Sequence, residues 1–321
     1  MYQPFARIAR TIALALGIGG GAAAGAFAAR AVYQTRLMLF GARRAIWRTP
    51  TDLGLPYVDV HFTAADGVRL AGWHIPPVGG GRAPAVVIVH GWPWNRCGNR
   101  SGDLMLPDAD VDLLAPAQAL HQAGFHTLLF DLRNHGTSDA APPVSFGIRE
   151  ARDFAAAVGW LRNQPEVAGD RIGALGYSMG ANTLIYGIPT CQPIRAAVAV
   201  QPVRISTFMR NFCRDQFGVF GPLLAAAAAP MPRLLGGPAL TTIDPAQAAS
   251  ALGETELLYI QGVGDPWGSI TEVAELAAAT PRARPVVGVP SRDRYGGYQY
   301  VAHERRAIVD FFHETLAEPS R

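Results

Sequence analysis

The chain has 321 residues, a formal net charge of +3 and 49% apolar residues. This length and composition allow one large domain with a buried core and exclude an intrinsically disordered chain. The basic residues form no stripe or cluster outside the N-terminus, so we expect no nucleic-acid partner. All 28 basic residues are arginine, which excludes enzymes that need a catalytic lysine. The cysteines and histidines show no metal-ligand spacing, so we expect neither a metal nor another cofactor.

The N-terminus contains a candidate membrane segment. Residues 11–29 carry no charge, and as a helix they would span about 28 Å, close to the thickness of a bilayer core. We therefore interpret residues 1–33 as an N-terminal membrane anchor or signal segment and residues 34–54 as a linker. A single-pass anchor is favoured, but Ala26-Phe27-Ala28 matches a signal-peptide cleavage site, which leaves export open. A soluble N-terminal helix is the third alternative. Arginines on both sides of the span leave the side of the membrane undetermined.

Residues 55–321 show an alternation of strands and helices. Two runs, 57–62 and 68–75, flank Asp66-Gly67 and predict an antiparallel hairpin. Further strands are predicted at residues 85–89, 127–130, 171–176, 196–200, 257–261 and 285–289. Helices are predicted at residues 113–123, 148–161 and 181–186. The alternation predicts an α/β fold with a mostly parallel central sheet and helices on both faces.

Residues 203–250 interrupt this alternation. They contain four phenylalanines, an alanine run and several prolines. The segment is either a surface excursion that packs for stability or a helical cap that shapes an apolar pocket. We favour the cap, since such insertions often lie over sites at the ends of strands.

The motif Gly176-Tyr177-Ser178-Met179-Gly180 stands between a predicted strand and a predicted helix. In this context G-x-S-x-G is the nucleophile elbow, a sharp turn that exposes a serine hydroxyl above the sheet. The flanking glycines are needed because side chains there would collide with the neighbouring backbone. Ser178 is therefore the candidate nucleophile.

A serine hydroxyl needs a base, and the base needs an orienting acid. Proteins with this elbow carry the base last in the chain, which leaves His303 and His313. We expect His303, at a loop-to-helix transition, to be the base, because His313 lies inside a helix. Asp265 follows a strand through a glycine-containing loop and is the candidate acid, whereas Asp293 stands between two arginines and suits a solvated ion pair.

An acyl-transfer site also needs hydrogen-bond donors for the oxyanion. The backbone N–H of Met179 is one candidate. The backbone N–H of Trp92, in the loop after strand 85–89, is the other. We interpret His90, in the same loop, as a buried residue that holds the loop by hydrogen bonds.

These motifs, in this order, resemble those of the α/β-hydrolase superfamily. The resemblance covers residues 55–317, is carried by the elbow, the Asp265 loop, His303, His90-Gly91-Trp92 and residues 131–138, and is closest to bacterial members with an N-terminal membrane segment. It implies that Arg133 and His135 brace loops near the site. The sequence departs from the family in a longer polar insertion at residues 95–115 and in the 38 residues that separate Asp265 from His303.

The predicted function is a serine hydrolase that cleaves an ester, or a thioester, through an acyl-enzyme on Ser178. The substrate would be a small acyl compound, apolar if the cap lines the pocket. A membrane-anchored peptidase, amidase or acyltransferase with the same triad is one alternative, and a non-catalytic binding module on the same fold is another. A haloalkane dehalogenase or epoxide hydrolase would have aspartate at position 178.

Overall fold

A computed structural model describes residues 22–317 of the chain, apart from Gln192. Its centre is an eight-stranded sheet. The strands of the chain are β1 (Val58–Thr63), β2 (Arg69–Ile75), β3 (Ala83–Val89), β4 (Gly98–Asn99), β5 (Val111–Asp112), β6 (His126–Phe130), β7 (Val167–Tyr177), β8 (Ala196–Val200), β9 (Glu256–Gly262) and β10 (Val287–Val289). The central sheet has the order β1-β2-β6-β3-β7-β8-β9-β10, and β4 pairs with β5 separately.

The strand pairing matches the predicted architecture. β1 and β2 form the expected antiparallel hairpin, in which Val60 faces Gly72, and β2 pairs antiparallel with β6. From β6 to β10 every neighbouring pair is parallel. The inner strands are buried along their length, as a strand covered on both faces requires. The carboxyl ends of the parallel strands meet at one edge of the sheet, which is where Ser178, Asp265 and Trp92 lie.

Helices cover both faces of the sheet. The α-helices are α1 (Ala22–Phe40), α2 (Leu114–Gln122), α3 (Glu150–Arg162), α4 (Met179–Gly187), α5 (Ile205–Phe217), α6 (Gly221–Ala228), α7 (Ala246–Ala249), α8 (Ile270–Ala279), α9 (Tyr295–His303) and α10 (Arg305–Leu316). One core cluster unites the sheet with α1, α3, α4, α8 and the helices of residues 203–250, and the other unites it with α2, α9 and α10. The α/β-hydrolase fold is confirmed.

The N-terminal part of the described chain packs on the domain. Most of the predicted membrane segment lies outside the described residues, but the described part of α1 extends from Ala22 to Phe40, through the end of that segment. Leu37, Met38 and Leu39 are buried in the core. The guanidinium of Arg44 forms a salt bridge with Asp103, at 2.8 Å. Residues 34–54, predicted to be a linker, are thus attached to the domain over much of their length.

Residues 203–250 form the predicted cap. They fold into α5, α6, α7 and short 3₁₀ helices. Within the described residues, one segment, Ile205–Leu235, is long and apolar enough to cross a membrane, with a mean hydropathy of 1.3. It lies in the cap, and 39% of its most apolar window is buried inside the domain. This segment is weak evidence for a membrane span, because a buried core helix passes the same test.

The close approach of α4 to β3 depends on Gly180. A Cβ atom at this position would collide with the carbonyl oxygen of Val89 and come within 2.7 Å of the carbonyl oxygen of His90. Both atoms belong to the backbone, so neither can move aside without shifting the sheet. The helix that follows Ser178 can therefore lie on the sheet only when residue 180 has no side chain.

We expect Gly180→Ala to lower the free energy of unfolding by about 1–3 kcal/mol, because overpacking forces the backbone to move. Gly159→Ala, in the interior of α3, is the matched control, since a Cβ atom at position 159 meets nothing within 4 Å. That control should be neutral or stabilise the chain by up to about 1 kcal/mol. Urea denaturation followed by circular dichroism measures both, and equal stabilities would contradict the packing argument.

Candidate active site

Ser178 lies on a sharp turn between β7 and α4. Its backbone has φ 51° and ψ −112°, a conformation that is strained for a residue with a side chain. The Ser178 N–H donates to the carbonyl oxygen of Val200 on β8, at 2.8 Å, which fixes the turn to the sheet. A Cβ atom at Gly176 would lie 2.6 Å from the carbonyl oxygen of Gly180. The turn has the geometry of a nucleophile elbow, with both glycines required.

Asp265 lies in the loop after β9, as predicted, and its carboxylate is buried. The side chain is 1% exposed. Oδ1 accepts a hydrogen bond from the N–H of Trp267 at 2.9 Å. Oδ2 accepts from the amides of Gln201, at 3.4 Å, and Gln261, at 3.3 Å. These contacts hold the carboxylate at the same edge of the sheet as Ser178.

The side chain that joins Asp265 to Ser178 is Arg294. Its Nη1 atom lies 2.6 Å from Oδ2 of Asp265, and its Nη2 atom donates to Oγ of Ser178 at 3.0 Å. The guanidinium therefore occupies the place between acid and nucleophile that the predicted triad gave to an imidazole. The structure brings Ser178 and Asp265 together through this arginine.

His303 is not part of this arrangement. It is the last residue of α9, its side chain is exposed, and it does not line the cavity that contains Ser178. The nine-residue helix that begins at Tyr295, directly after Arg294, carries His303 away from the edge of the sheet. The prediction of His303 as the base is therefore corrected, since the imidazole does not meet Ser178 or Asp265. His313, the other candidate, is exposed on α10 and packs against the ring of Phe125.

The charge of Arg294 is stabilised from several sides. Burial, the largest single influence, disfavours the charged form and lowers the pKa of Arg294, but Asp265, Tyr298 and Tyr295 together outweigh it, and the net shift raises the pKa above its ordinary value. The guanidinium also lies over the rings of Phe208, at 5.3 Å, and Tyr298, at 5.4 Å. Arg294 is therefore a permanent cation that cannot accept the proton of Ser178 at any pH at which the fold survives.

The two buried histidines near the β3 loop do not supply a base either. Nε2 of His90 accepts from the N–H of Leu132 at 3.0 Å, and its Nδ1 contacts the carbonyl of Gly91 at 2.8 Å. Burial lowers the pKa of His90 to about 4 and that of His135 to about 3, so both are neutral. His90 holds the loop, as predicted. Within the described residues, no imidazole forms a hydrogen bond with Ser178.

Residues 131–138 contain Arg133, which the family resemblance implies braces loops near the site, and this arginine lies in an ion-pair network. The guanidinium of Arg133 contacts Asp153 and Asp66, each at 2.7 Å. Asp153 is fully buried on α3, so the network fixes the loop after β6 to that helix. Asp293, the rejected alternative to Asp265, accepts hydrogen bonds from the N–H groups of Tyr295 and Gly296 and caps α9.

The candidate oxyanion donors remain a prediction, but their surroundings are consistent with it. Met179 is the first residue of α4, so its N–H has no acceptor within the helix. Trp92 lines the cavity that contains Ser178. Tyr298 lines it too, and its buried hydroxyl has no hydrogen-bond partner in the described part of the chain. Burial raises the pKa of Tyr298 above its ordinary value, so the phenol stays protonated as a further donor beside Ser178.

The cavity in front of Ser178 is mainly apolar. Its walls come from the β3 loop, the polar insertion, the cap and α9, and its aromatic lining residues are Trp92, Trp94, Phe146, Phe208, Phe212, Trp267, Tyr295 and Tyr298. Asn99 and Asp108 bring polar groups from the insertion of residues 95–115.

Sequence reasoning missed Arg294 and Gln201. Gln201 directly follows β8, and its amide donates to the carbonyl oxygen of Arg294 at 2.8 Å as well as to Asp265. The unusually long separation of Asp265 and His303 was a signal that the loop after β10 could bring a different side chain, Arg294, to Ser178. Arg294 stands five residues after β10 ends at Val289, whereas His303 stands fourteen residues after it. The first side chain able to reach Ser178 from that loop is an arginine.

The family to which these features point is shown by sequence comparison. The family model described as "Alpha/beta hydrolase family" matches residues 86–318. The chain belongs to the alpha/beta hydrolase family.

Individual relatives of this alpha/beta hydrolase support the same fold. An uncharacterized protein of Mycobacterium tuberculosis is 35% identical over 144 residues, 45% of each chain, so the hydrolase spans less than half the length of that relative. A polyketide transferase of Penicillium is 29% identical over 77% of this chain and 70% of its own. The esterase Pf2001 of Pyrococcus furiosus is similar in structure, with a TM-score of 0.67 and 24% identity over 86% of this chain and 99% of the esterase. None of these similarities supports an N-terminal membrane segment.

Removal of the Arg294 guanidinium should show how much it compensates the buried charge of the Asp265 carboxylate. We expect Arg294→Met to lower the free energy of unfolding of this hydrolase by about 3–5 kcal/mol, because it leaves a buried carboxylate without its cation. The double variant Arg294→Met/Asp265→Asn removes both charges and should recover most of that loss. Urea denaturation at pH 7 compares the two, and a double variant no more stable than the single one would show that the pair is not the cause.

Proposed function

We propose that this alpha/beta hydrolase cleaves a carboxylic ester or thioester through an acyl-enzyme intermediate on Ser178. The observation that carries the proposal is the strained elbow, which holds the Ser178 hydroxyl at an apolar cavity with a guanidinium 3.0 Å away. The esterase neighbour and the polyketide transferase relative support acyl chemistry on this fold.

The acylation step is derived from these residues. Oγ of Ser178 forms a bond to the carbonyl carbon, and the bond from that carbon to the leaving oxygen or sulfur breaks. The hydroxyl proton passes to hydroxide, because Arg294 already holds all its protons. The guanidinium stabilises the negative charge on Oγ as the proton leaves, and the N–H groups of Met179 and Trp92 are the expected donors to the carbonyl oxygen. A second hydroxide then bonds to the carbonyl carbon of the acyl-enzyme, and the bond from that carbon to Oγ breaks. Oγ regains a proton from water, and the acid leaves as its carboxylate.

The lack of a proton-transfer residue restricts the substrate. An amine leaving group must be protonated as the bond breaks, by a group that has first accepted a proton. Arg294 and the phenol of Tyr298 both have raised pKa values, so both keep their protons near pH 7 and cannot act as base and acid in turn. Thiolates and aryl oxides leave without protonation. We therefore favour thioesters and activated esters of apolar acids over the peptidase or amidase alternative. Transfer of the acyl group to an acceptor other than water would use the same intermediate.

A second function, ligand binding without turnover, is favoured by the same arginine. The guanidinium of Arg294 contacts both Asp265 and Ser178, so the Ser178 hydroxyl is hydrogen-bonded to a cation and not to a base. A protein that binds an acyl compound without cleaving it needs the cavity but not a base. Reactivity of Ser178 distinguishes the two functions.

Ser178 should react slowly with a fluorophosphonate probe, and Ser178→Ala should not react. The rate of hydrolysis of p-nitrophenyl butyrate should rise with hydroxide concentration up to about pH 10, without the plateau that an imidazole gives above about pH 7. The reason is that the pKa of Arg294 is raised, so no group in contact with Ser178 changes charge in that range. Equal labelling of both proteins would refute the nucleophile, and no labelling of either would favour binding alone.

The substitution Arg294→His should convert the site to a complete triad. We expect an imidazole at position 294 to take the place of the guanidinium between Asp265 and Ser178 and to accept the hydroxyl proton, which is worth about 10²–10⁴-fold in rate. We expect kcat/KM for p-nitrophenyl butyrate to rise by that order and to become independent of pH above about 7.5.

Two control variants test whether this rise in kcat/KM comes from an imidazole acting on Ser178. The double variant Arg294→His/Ser178→Ala should lose it, and His303→Ala in the natural background should leave the rate unchanged, because His303 lies outside the cavity. If His303→Ala abolishes the natural activity, the arginine-containing arrangement is not the one that reacts.

A further inference from the structure

The tip of the cap carries an exposed apolar patch. Val219 is 89% exposed, Phe220 is 55% exposed and Leu223 is 52% exposed. Val219 and Phe220 lie on the turn between α5 and α6, and Leu223 lies in the first turn of α6, four and three positions after them, where a helical side chain is a neighbour of both. Three large apolar side chains so close together on the surface indicate a contact with something apolar.

The patch is continuous with the N-terminal helix. The ring of Phe27 on α1 contacts Phe220 at 5.7 Å and Phe217 at 5.2 Å between centroids. The chain that precedes Ala22 contributes residues 11–21, which carry no charge. The cap tip and the start of α1 therefore bring the exposed patch next to the point at which an uncharged segment joins the domain.

Charges beside the patch are mainly positive. Arg30 of α1 donates to the side chain of Gln216 at 2.5 Å and lies 5.9 Å from the ring of Phe217. Arg210 and Arg214 are exposed on α5, and Asp215 is the exposed acid among them. Exposed apolar side chains beside arginines are the combination that binds the interface of an anionic membrane.

We propose that the cap tip, defined as Val219, Phe220 and Leu223, docks on the surface of an anionic lipid bilayer. The N-terminal segment and Phe27 bring it there, and the neighbouring arginines contact the lipid headgroups.

The docking face also leads toward the cavity. Leu106 lines the groove against Ala26, Ala29 and Arg30 of α1, and it also lines the cavity of Ser178. An apolar acyl group in the bilayer could thus reach Ser178 along an apolar wall. This last step rests on the proposed function, whereas docking itself does not.

The experiment places a fluorescent label on the patch. All three native cysteines are buried, so a cysteine introduced at Val219 can be labelled selectively with an environment-sensitive nitrobenzoxadiazole dye. Val58→Cys, on the edge strand β1 and 55% exposed, is the matched control. The full chain is mixed with phosphatidylcholine–phosphatidylglycerol vesicles. We expect emission at position 219 to shift to the blue and to rise about twofold or more, with quenching by doxyl-labelled lipid, and emission at position 58 to stay unchanged.

Other results would overturn the proposal. If the protein floats with the vesicles while the label at position 219 stays unchanged, the N-terminal segment alone binds lipid. If the protein does not bind vesicles, there is no docking. If the label responds to protein concentration without lipid, a second copy of the chain covers the patch. The esterase assays above do not depend on any of these outcomes, so the two proposals fail separately.

Discussion

The interaction on which the site depends is the buried ion pair of Arg294 and Asp265. A lone guanidinium or carboxylate at this depth would be strongly disfavoured, and each is tolerated because the other compensates its charge. Gln201 fixes both partners at once, through the carbonyl of Arg294 and the carboxylate of Asp265. The pair determines which group faces Ser178, and that group is a hydrogen-bond donor with no free acceptor site.

Arg294 stands where an imidazole was predicted, and this difference affects proton transfer but leaves the other parts of the site in place. The elbow, the helix that begins at Met179 and the loop that carries Trp92 do not require a histidine for their geometry. A fixed positive charge at 3.0 Å stabilises an alkoxide but cannot remove its proton. Electrostatic stabilisation and proton transfer are usually credited together to a triad. Here the two are separated, since only the first is present without help from solvent.

Much of the architecture follows from local patterns in the sequence. The hairpin around Asp66-Gly67, the parallel strands and the helix after the elbow were all predicted to within a few residues, because each depends on periodicity and turn chemistry. The partner of Ser178 could not be predicted in that way, since it depends on which side chain a distant loop brings to the sheet. Chain order selected His303, but His303 stands nine positions after Arg294, at the far end of α9. The packing of residues 34–54 was missed for the same reason: the apolar run Leu37-Met38-Leu39 does not show in its own sequence which part of the domain covers it.

The apolar cavity and the apolar cap tip are related by one feature of the site: among the described residues, no base contacts Ser178. The proposed reliance on hydroxide would make the reaction slow, so the site would benefit from a long residence of the substrate near Ser178 and from a good leaving group. Burial of an acyl chain against the aromatic walls would lengthen that residence, since each buried methylene contributes about 0.8 kcal/mol. Docking of the cap tip on a bilayer would raise the local concentration of acyl chains at the groove beside Leu106. Slow chemistry and a membrane-facing entrance are therefore compatible in one protein, because binding supplies what proton transfer does not.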